Sequence, residues 1–227
     1  MMGKVRLSVF LSILLSSLGF LTSCETDVYE KGTGKYSLML TDLAEVTVDD
    51  QKTATAFTTD DGDSYIFSPA ITAKWIQTAD TIYRAIVYYN KNTDGTAKPL
   101  GLGTVPTLIP REHSYLKDFP NDPIGFESVW VSGSRKYINL GLLVRSGQTD
   151  DKGQKHTIAL LRDTIYTSAN QKQTAVYRLL HDQGGVPEYY TDRHYVSILL
   201  PDTPPDTVLL YIQTYQGEIS RKLKIKD

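Results

Sequence analysis

The chain has 227 residues, with 24 Lys and Arg against 26 Asp and Glu and a formal net charge of −2. That balance lacks the concentrated Lys/Arg footprint of a nucleic-acid platform, and a single Cys rules out an intramolecular disulfide framework. Fifteen Tyr against six Phe and two Trp favour pleated, half-buried surfaces, so a β protein is expected, with a Tyr-lined ligand surface as the sharper reading.

Taken in chain order, Lys4 and Arg6 precede an apolar run over residues 7–20 that contains four serines and turns polar at once. Crossing a bilayer takes about 20 apolar residues. The run is shorter, so the segment reads as a secretory signal peptide over residues 1–23. Leu21-Thr22-Ser23-Cys24 resembles the bacterial lipobox, in which the Cys is acylated and becomes the new N-terminus. Lipidation removes a thiol that would otherwise be reactive in an exported protein. Two or more acyl chains hold stably, at about 0.8 kcal/mol per buried methylene. Residues 24–35 are then the acylated Cys and a tether. Its Glu25, Asp27 and Glu30 resemble the export signal of surface lipoproteins in the Bacteroidetes, and a solvated linker is the plainer reading.

From Tyr36 onward the patterning is period-2, without helical stripes. Strands are predicted over residues 36–40, 45–48, 54–58, 64–67 and 81–89, followed by an apolar segment over 100–109. The acidic stretch Asp60-Asp61-Gly62-Asp63 is read as a solvated hairpin turn. About five short strands with regular turn signals suggest a small barrel or sandwich over residues 36–115. Pro110, Pro120 and Pro123 interrupt the pattern, and the domain boundary is placed there. A second series follows at residues 126–131, 137–144, 155–161, 175–180, 195–200, 207–214 and 219–225. Seven strands in about 100 residues predict an immunoglobulin-like β-sandwich over residues 116–227. Leu223 and Ile225 alternate with Lys222, Lys224 and Lys226, the mark of a charged edge strand.

Local signatures of catalysis are missing: no Gly-x-Ser-x-Gly, no His-Glu-x-x-His, no Walker loop and no Cys pair. The chain is therefore read as non-enzymatic, with no metal and no cofactor. Asn90, Asn92, Asp94 and Gly95 echo the start of a calcium loop, but the closing position holds Gly101 where a Glu is needed. His113, His156, His181 and His194 are scattered, none with a second His at ligand spacing. The stretch Gln183 to Arg193 reads as a long loop hinged at Gly184-Gly185. Its Tyr189, Tyr190, Asp192 and Arg193, with His194, form the candidate partner-binding surface, because Tyr and Arg are the residue types enriched where proteins meet. An ordinary surface loop is the competing reading.

The lipobox, the Tyr-rich first β region and the segment Ser128-Val-Trp-Val-Ser-Gly-Ser-Arg-Lys-Tyr-Ile-Asn-Leu140 together resemble the NigD-like lipoproteins of Bacteroidetes. In that family a small OB-type barrel precedes a β-sandwich. Trp130, Tyr137, Asn139 and Leu140 match the opening of the second domain, and read as residues of a packing core. The family name comes from an association with a bacteriocin operon, which is a neighbourhood and not a mechanism. The resemblance and the residues together predict an all-β protein, with a small OB-like barrel followed by an immunoglobulin-like β-sandwich. Its expected role is a non-enzymatic, membrane-anchored envelope lipoprotein in the outer membrane, exposed at the surface. It would bind an envelope protein or a secreted peptide. The alternative is a glycan-binding accessory lipoprotein, for which Trp75, Tyr83, Tyr88 and Tyr89 are available, although alternation turns half of them inward.

Overall fold

The computed structural model describes residues 32, 34, 36–149 and 153–226. Cys24, the signal segment and most of the tether lie outside the described residues. The chain divides into two units, Met1–Leu38 and Met39–Asp227. In the first, the Ser37 N–H donates to Gly34 O (3.0 Å) and closes a turn. Among its described residues the second carries thirteen strands.

Five strands close into a barrel in the order β1-β2-β3-β5-β4. They are β1 (Leu40–Val48), β2 (Ala54–Thr59), β3 (Ser64–Ile71), β4 (Thr81–Lys91) and β5 (Ala97–Thr104). β3 meets β5 in parallel and the other neighbours are antiparallel, the closure of an OB-type barrel. Its interior fits aromatics against small residues. Phe57 stands 4.8 Å from Phe67 and 4.9 Å from Tyr89, and Ala44, Ala54, Ala85 and Ala97 make the room. The two strands expected over 36–40 and 45–48 are one strand in the structure, and residues 36–38 form a turn. Asp42 falls in the gap between the two expected strands, and the Tyr89 hydroxyl donates to its carboxylate (2.9 Å), so the polar group is satisfied within the strand.

The remaining strands make a sandwich of two four-stranded sheets, β6-β11-β8-β7 and β13-β12-β10-β9. They are β6 (Thr107–Leu108), β7 (Gly125–Val131), β8 (Tyr137–Ser146), β9 (Thr157–Thr167), β10 (Gln173–Asp182), β11 (Tyr190–Leu199), β12 (Thr207–Thr214) and β13 (Gly217–Lys224). A 3-10 turn at His113–Tyr115 lies between β6 and β7. The inner faces supply one core, with Leu140, Leu142, Leu179, Ile198, Leu210 and Ile212 buried. β12 shows the alternation plainly: Val208, Leu210, Ile212 and Thr214 are buried and the residues between them are half-buried. β13 is an edge strand, paired to β12 alone, as its lysines predict. β6 differs from expectation. Thr107 and Leu108 were expected on the barrel side of the boundary, but they pair in parallel with Ser197 and Ile198 of β11 and so belong to the sandwich. Pro110, Pro120 and Pro123, on which the boundary was placed, all follow this short pairing.

Candidate partner-binding cleft

The barrel and the sandwich have separate hydrophobic cores, and what joins them is polar. Arg84 on β4 is 7% exposed. Its Nη1 and Nη2 meet Oδ1 and Oδ2 of Asp60, each at 2.7 Å. Nη2 also donates to Asn139 Oδ1 (3.1 Å), and Nε donates to Ser197 Oγ (3.0 Å). Asn139 Nδ2 donates to the same Asp60 carboxylate (2.7 Å), and Ser197 Oγ donates to Asn139 Oδ1 (2.8 Å). The Tyr137 ring lies 4.1 Å from the guanidinium, and its hydroxyl donates to Glu45 on β1 (2.8 Å), which also receives Lys136 (2.7 Å). A buried charge is tolerable only when paired and hydrogen-bonded, and this one is.

The network revises two readings. Asp60-Asp61-Gly62-Asp63 is not merely a solvated turn: Asp60 accepts from Arg84 and Asn139, and Ser134 N–H donates to Asp60 O (2.6 Å). Tyr137 and Asn139 are not core-packing residues of the sandwich alone, since both reach across to the barrel. Leu140, on the opposite face of β8, does enter the core. The signal available in sequence was Arg84 itself, a charge in the middle of an apolar strand.

Docking on the outer face of β8 and β11 leaves a cleft of about 820 Å³ beside the contact. Ile86 and Tyr88 of β4 form one wall with Val105 and Pro106. Lys155, His156 and Ile158 at the start of β9 form the second, and Arg193, His194 and Tyr195 of β11 the third. Thr41, Ile86 and Tyr195 also border a smaller groove of about 290 Å³ that reaches Asp60, Asp61 and Trp130. Trp130 and Tyr195 meet edge to face at 6.3 Å. Gly141 lies beside them, and a Cβ there would fall 2.6 Å from Ser128 Oγ.

The five candidate residues separate on this frame. Tyr189 and Tyr190 are 78% and 54% exposed. Arg193 and His194 line the cleft, and Asp192 is exposed between β11 neighbours. Arg193 is oriented by Glu127 of β7, whose Oε1 accepts from both Nε (3.0 Å) and Nη2 (2.6 Å). The long loop expected over 183–193 is shorter, because β11 begins at Tyr190. Its glycine pair is also no free hinge. Gly184 (φ +58) packs so close to Lys155 that a Cβ would stand 2.1 Å from that residue's carbonyl oxygen, and Gln154 Nε2 donates to Gly185 O (3.0 Å).

Two histidines that are distant in sequence come together behind the cleft. His156 Nδ1 and His181 Nε2 are 3.0 Å apart and their rings stack with centroids at 5.2 Å. Burial, and then the neighbouring His181, lower the His156 pKa below its ordinary value. Among the described residues no group of three or more His, Cys, Asp or Glu side chains is placed to hold a metal. The barrel aromatics are partly spent on structure: Tyr89 is buried, and the Tyr83 hydroxyl accepts from the N–H of Gln77 (3.1 Å) and Thr78 (2.8 Å). Trp75 Nε1 donates to Leu102 O (3.4 Å).

Comparison with known proteins agrees with this architecture. The solved structure of a NigD-like immunity protein from Bacteroides caccae aligns with 80% of this chain and 91% of its own, at TM-score 0.62 and 20% identity. A candidate lipoprotein from Bacteroides fragilis aligns with 83% of this chain and 98% of its own, at TM-score 0.63 and 14% identity. A candidate toxin-related protein from Parabacteroides distasonis gives 83% and 93%, TM-score 0.63 and 16% identity. At such identities the likeness is one of fold. No curated protein matches the chain. Residues 107–225 match the NigD-like C-terminal β-sandwich domain, and the match begins with β6, where the structure starts the sandwich. With more than half of its length matched in this way, the chain belongs to the NigD-like family.

Proposed function

We propose that this protein is a non-enzymatic lipoprotein of the cell envelope, anchored in the outer membrane through acylated Cys24. It binds an envelope protein or a secreted peptide. The observation that carries the reading is the cleft between barrel and sandwich, rimmed by Arg193 and His194, with the exposed Tyr189 and Tyr190 on the same strand or next to it. Tyr and Arg in such a setting supply contact area and directed hydrogen bonds at small entropic cost. One relative of the same fold carries the description of an immunity protein and another that of a candidate lipoprotein, which accords with a tethered module that meets a partner outside the membrane.

The test has two parts. Replacing Cys24 with Ala should move the protein from the membrane to the soluble fraction. A photo-crosslinking side chain at Tyr189, expressed at native abundance in intact cells, should yield one stoichiometric companion. Recovery of the bait alone would overturn the binding-module reading. A glycan reading rests on a different observation, the Trp130–Tyr195 pair above Asp60 and Asp61 in the smaller groove. Saturable binding on a polysaccharide panel, lost in Trp130→Ala, would support it, and a flat panel would remove it.

A further inference from the structure

The side of the sandwich is sealed along only part of its length. At one end, β6 pairs with Ser197 and Ile198 of β11, and the chain then crosses to the other sheet, where Arg111 N–H donates to Leu160 O (2.8 Å) and Arg162 N–H donates to Arg111 O (2.7 Å). At the other end the same strip of chain is missing, because before Thr107 the backbone turns away at Pro106 toward the barrel. The cleft of about 820 Å³ occupies that gap.

Backbone polarity along β11 shows what the gap offers. Ser197 N–H donates to Pro106 O (2.9 Å), so it points away from β8. β11 pairs with β8 from Tyr190 to Leu199 without a register shift. Alternation therefore turns the N–H and C=O of Thr191, Arg193 and Tyr195 to the same outer side. Among the described residues no strand pairs with them there. An edge of this kind is a template for another strand. The walls define the visitor's chemistry further. Apolar contact comes from Ile86, Val105 and Ile158, an exposed cationic group from Lys155, and Arg193 is already paired with Glu127; among the described residues the cleft lining includes no Asp or Glu, in a chain of net negative charge.

We infer that the edge of β11 between Tyr190 and Tyr195 receives an extended acidic peptide segment of the partner, which adds to the sheet as a strand. The inference rests on the binding-module reading and names its mode. About five residues of the visitor, roughly 17 Å, would lie along the open edge. Main-chain hydrogen bonds to Thr191, Arg193 and Tyr195 supply affinity, and alternate side chains select: apolar ones toward Ile86 and Ile158, a carboxylate toward Lys155.

The probe is a fluorescein-labelled heptapeptide, acetyl-Val-Glu-Val-Thr-Val-Glu-Val-amide, titrated against the full chain in detergent and read by fluorescence anisotropy. Saturable binding is expected, about tenfold tighter than that of the peptide with Lys at both Glu positions. Two N-methylated versions block opposite edges of the peptide. One should lose binding about tenfold and the other keep it, because a strand offers only one edge to β11. Thr191→Pro removes an outward donor without touching the β8 ladder, and should weaken binding by a similar factor, as should Lys155→Glu. Absence of saturable binding, or equal binding by the two N-methylated peptides, overturns the inference even if the Pro variant fails to fold. In cells, crosslinking at Tyr189 but none at Thr157 in the cleft wall would overturn strand addition and leave the binding-module reading standing. Crosslinking at neither would sink both.

Discussion

Asp60→Ala removes the anion from the junction of barrel and sandwich. It leaves the Arg84 guanidinium, whose side chain is 4% exposed, with Asn139 and Ser197 as acceptors and no counter-charge, and it strips Asn139 Nδ2 of its acceptor. Removing one partner of a buried, hydrogen-bonded ion pair costs about 3–5 kcal/mol. For a unit of this size that lowers Tm by roughly 6–20 °C. The two hydrophobic cores share no residue, so the damage falls on the junction rather than on either core. Thermal unfolding, followed by far-UV circular dichroism and by the fluorescence of Trp75 in the barrel and Trp130 in the sandwich, should change from one transition to two. Arg84→Met in the Asp60→Ala background removes the stranded charge, and the double variant should recover about 2 kcal/mol relative to Asp60→Ala alone. A loss under about 1 kcal/mol in the single variant, or a coupling within about 0.5 kcal/mol of zero, would refute the claim that this network holds the two bodies together.

Glu45 sits below its ordinary pKa: burial pushes it up, and the hydrogen bonds from Lys136 and Tyr137 with the Lys136 charge outweigh that. A carboxyl depressed in the folded state stabilises above its unfolded value and loses that contribution as pH falls through the folded one, so Glu45→Gln should flatten the acid limb of the stability profile below about pH 4.5. Tyr137 is pushed up to about 12 by burial and by Glu45. Its contribution is present below its ordinary 10.0 and lost as pH rises toward 12, and Tyr137→Phe should remove that alkaline loss in denaturant melts. His156, a base depressed by burial and by His181, stabilises above its ordinary 6.5 and loses that contribution as pH falls; His156→Gln should weaken the pH dependence of stability below 6.5. Gly184→Ala combines a left-handed backbone with an overlap on Lys155 O, and should cost about 2–4 kcal/mol by urea denaturation. Gly62→Ala, at φ +93 with open space around it, should cost only about 1 kcal/mol.

Period-2 patterning was enough to place most of the strands. β12 was read to the residue, because Val208, Leu210 and Ile212 alternate with less buried neighbours and a half-buried strand writes its face directly into the chain. The Lys alternation near the C-terminus marked the edge strand for the same reason. Turn chemistry was less informative. Gly184 and Gly185 read as a hinge, since sequence records that a residue can adopt positive φ and not what presses against it.

Sequence alone therefore determined the all-β class, because burial alternation is a local property of the chain, and the family resemblance supplied the order of barrel and sandwich. Tertiary structure decided the rest. Arg84 and Asn139 lie 55 residues apart and become partners only when the barrel docks. His156 and His181 meet only through the pairing of β9 with β10. The open edge of β11 exists only because β6 begins at Thr107, the chain before it having turned toward the barrel, which nothing in the run from Tyr190 to Tyr195 records. Long-range pairing and closure are properties of the assembled sheets, and a site built from what the sheets leave unpaired becomes legible only after they have formed.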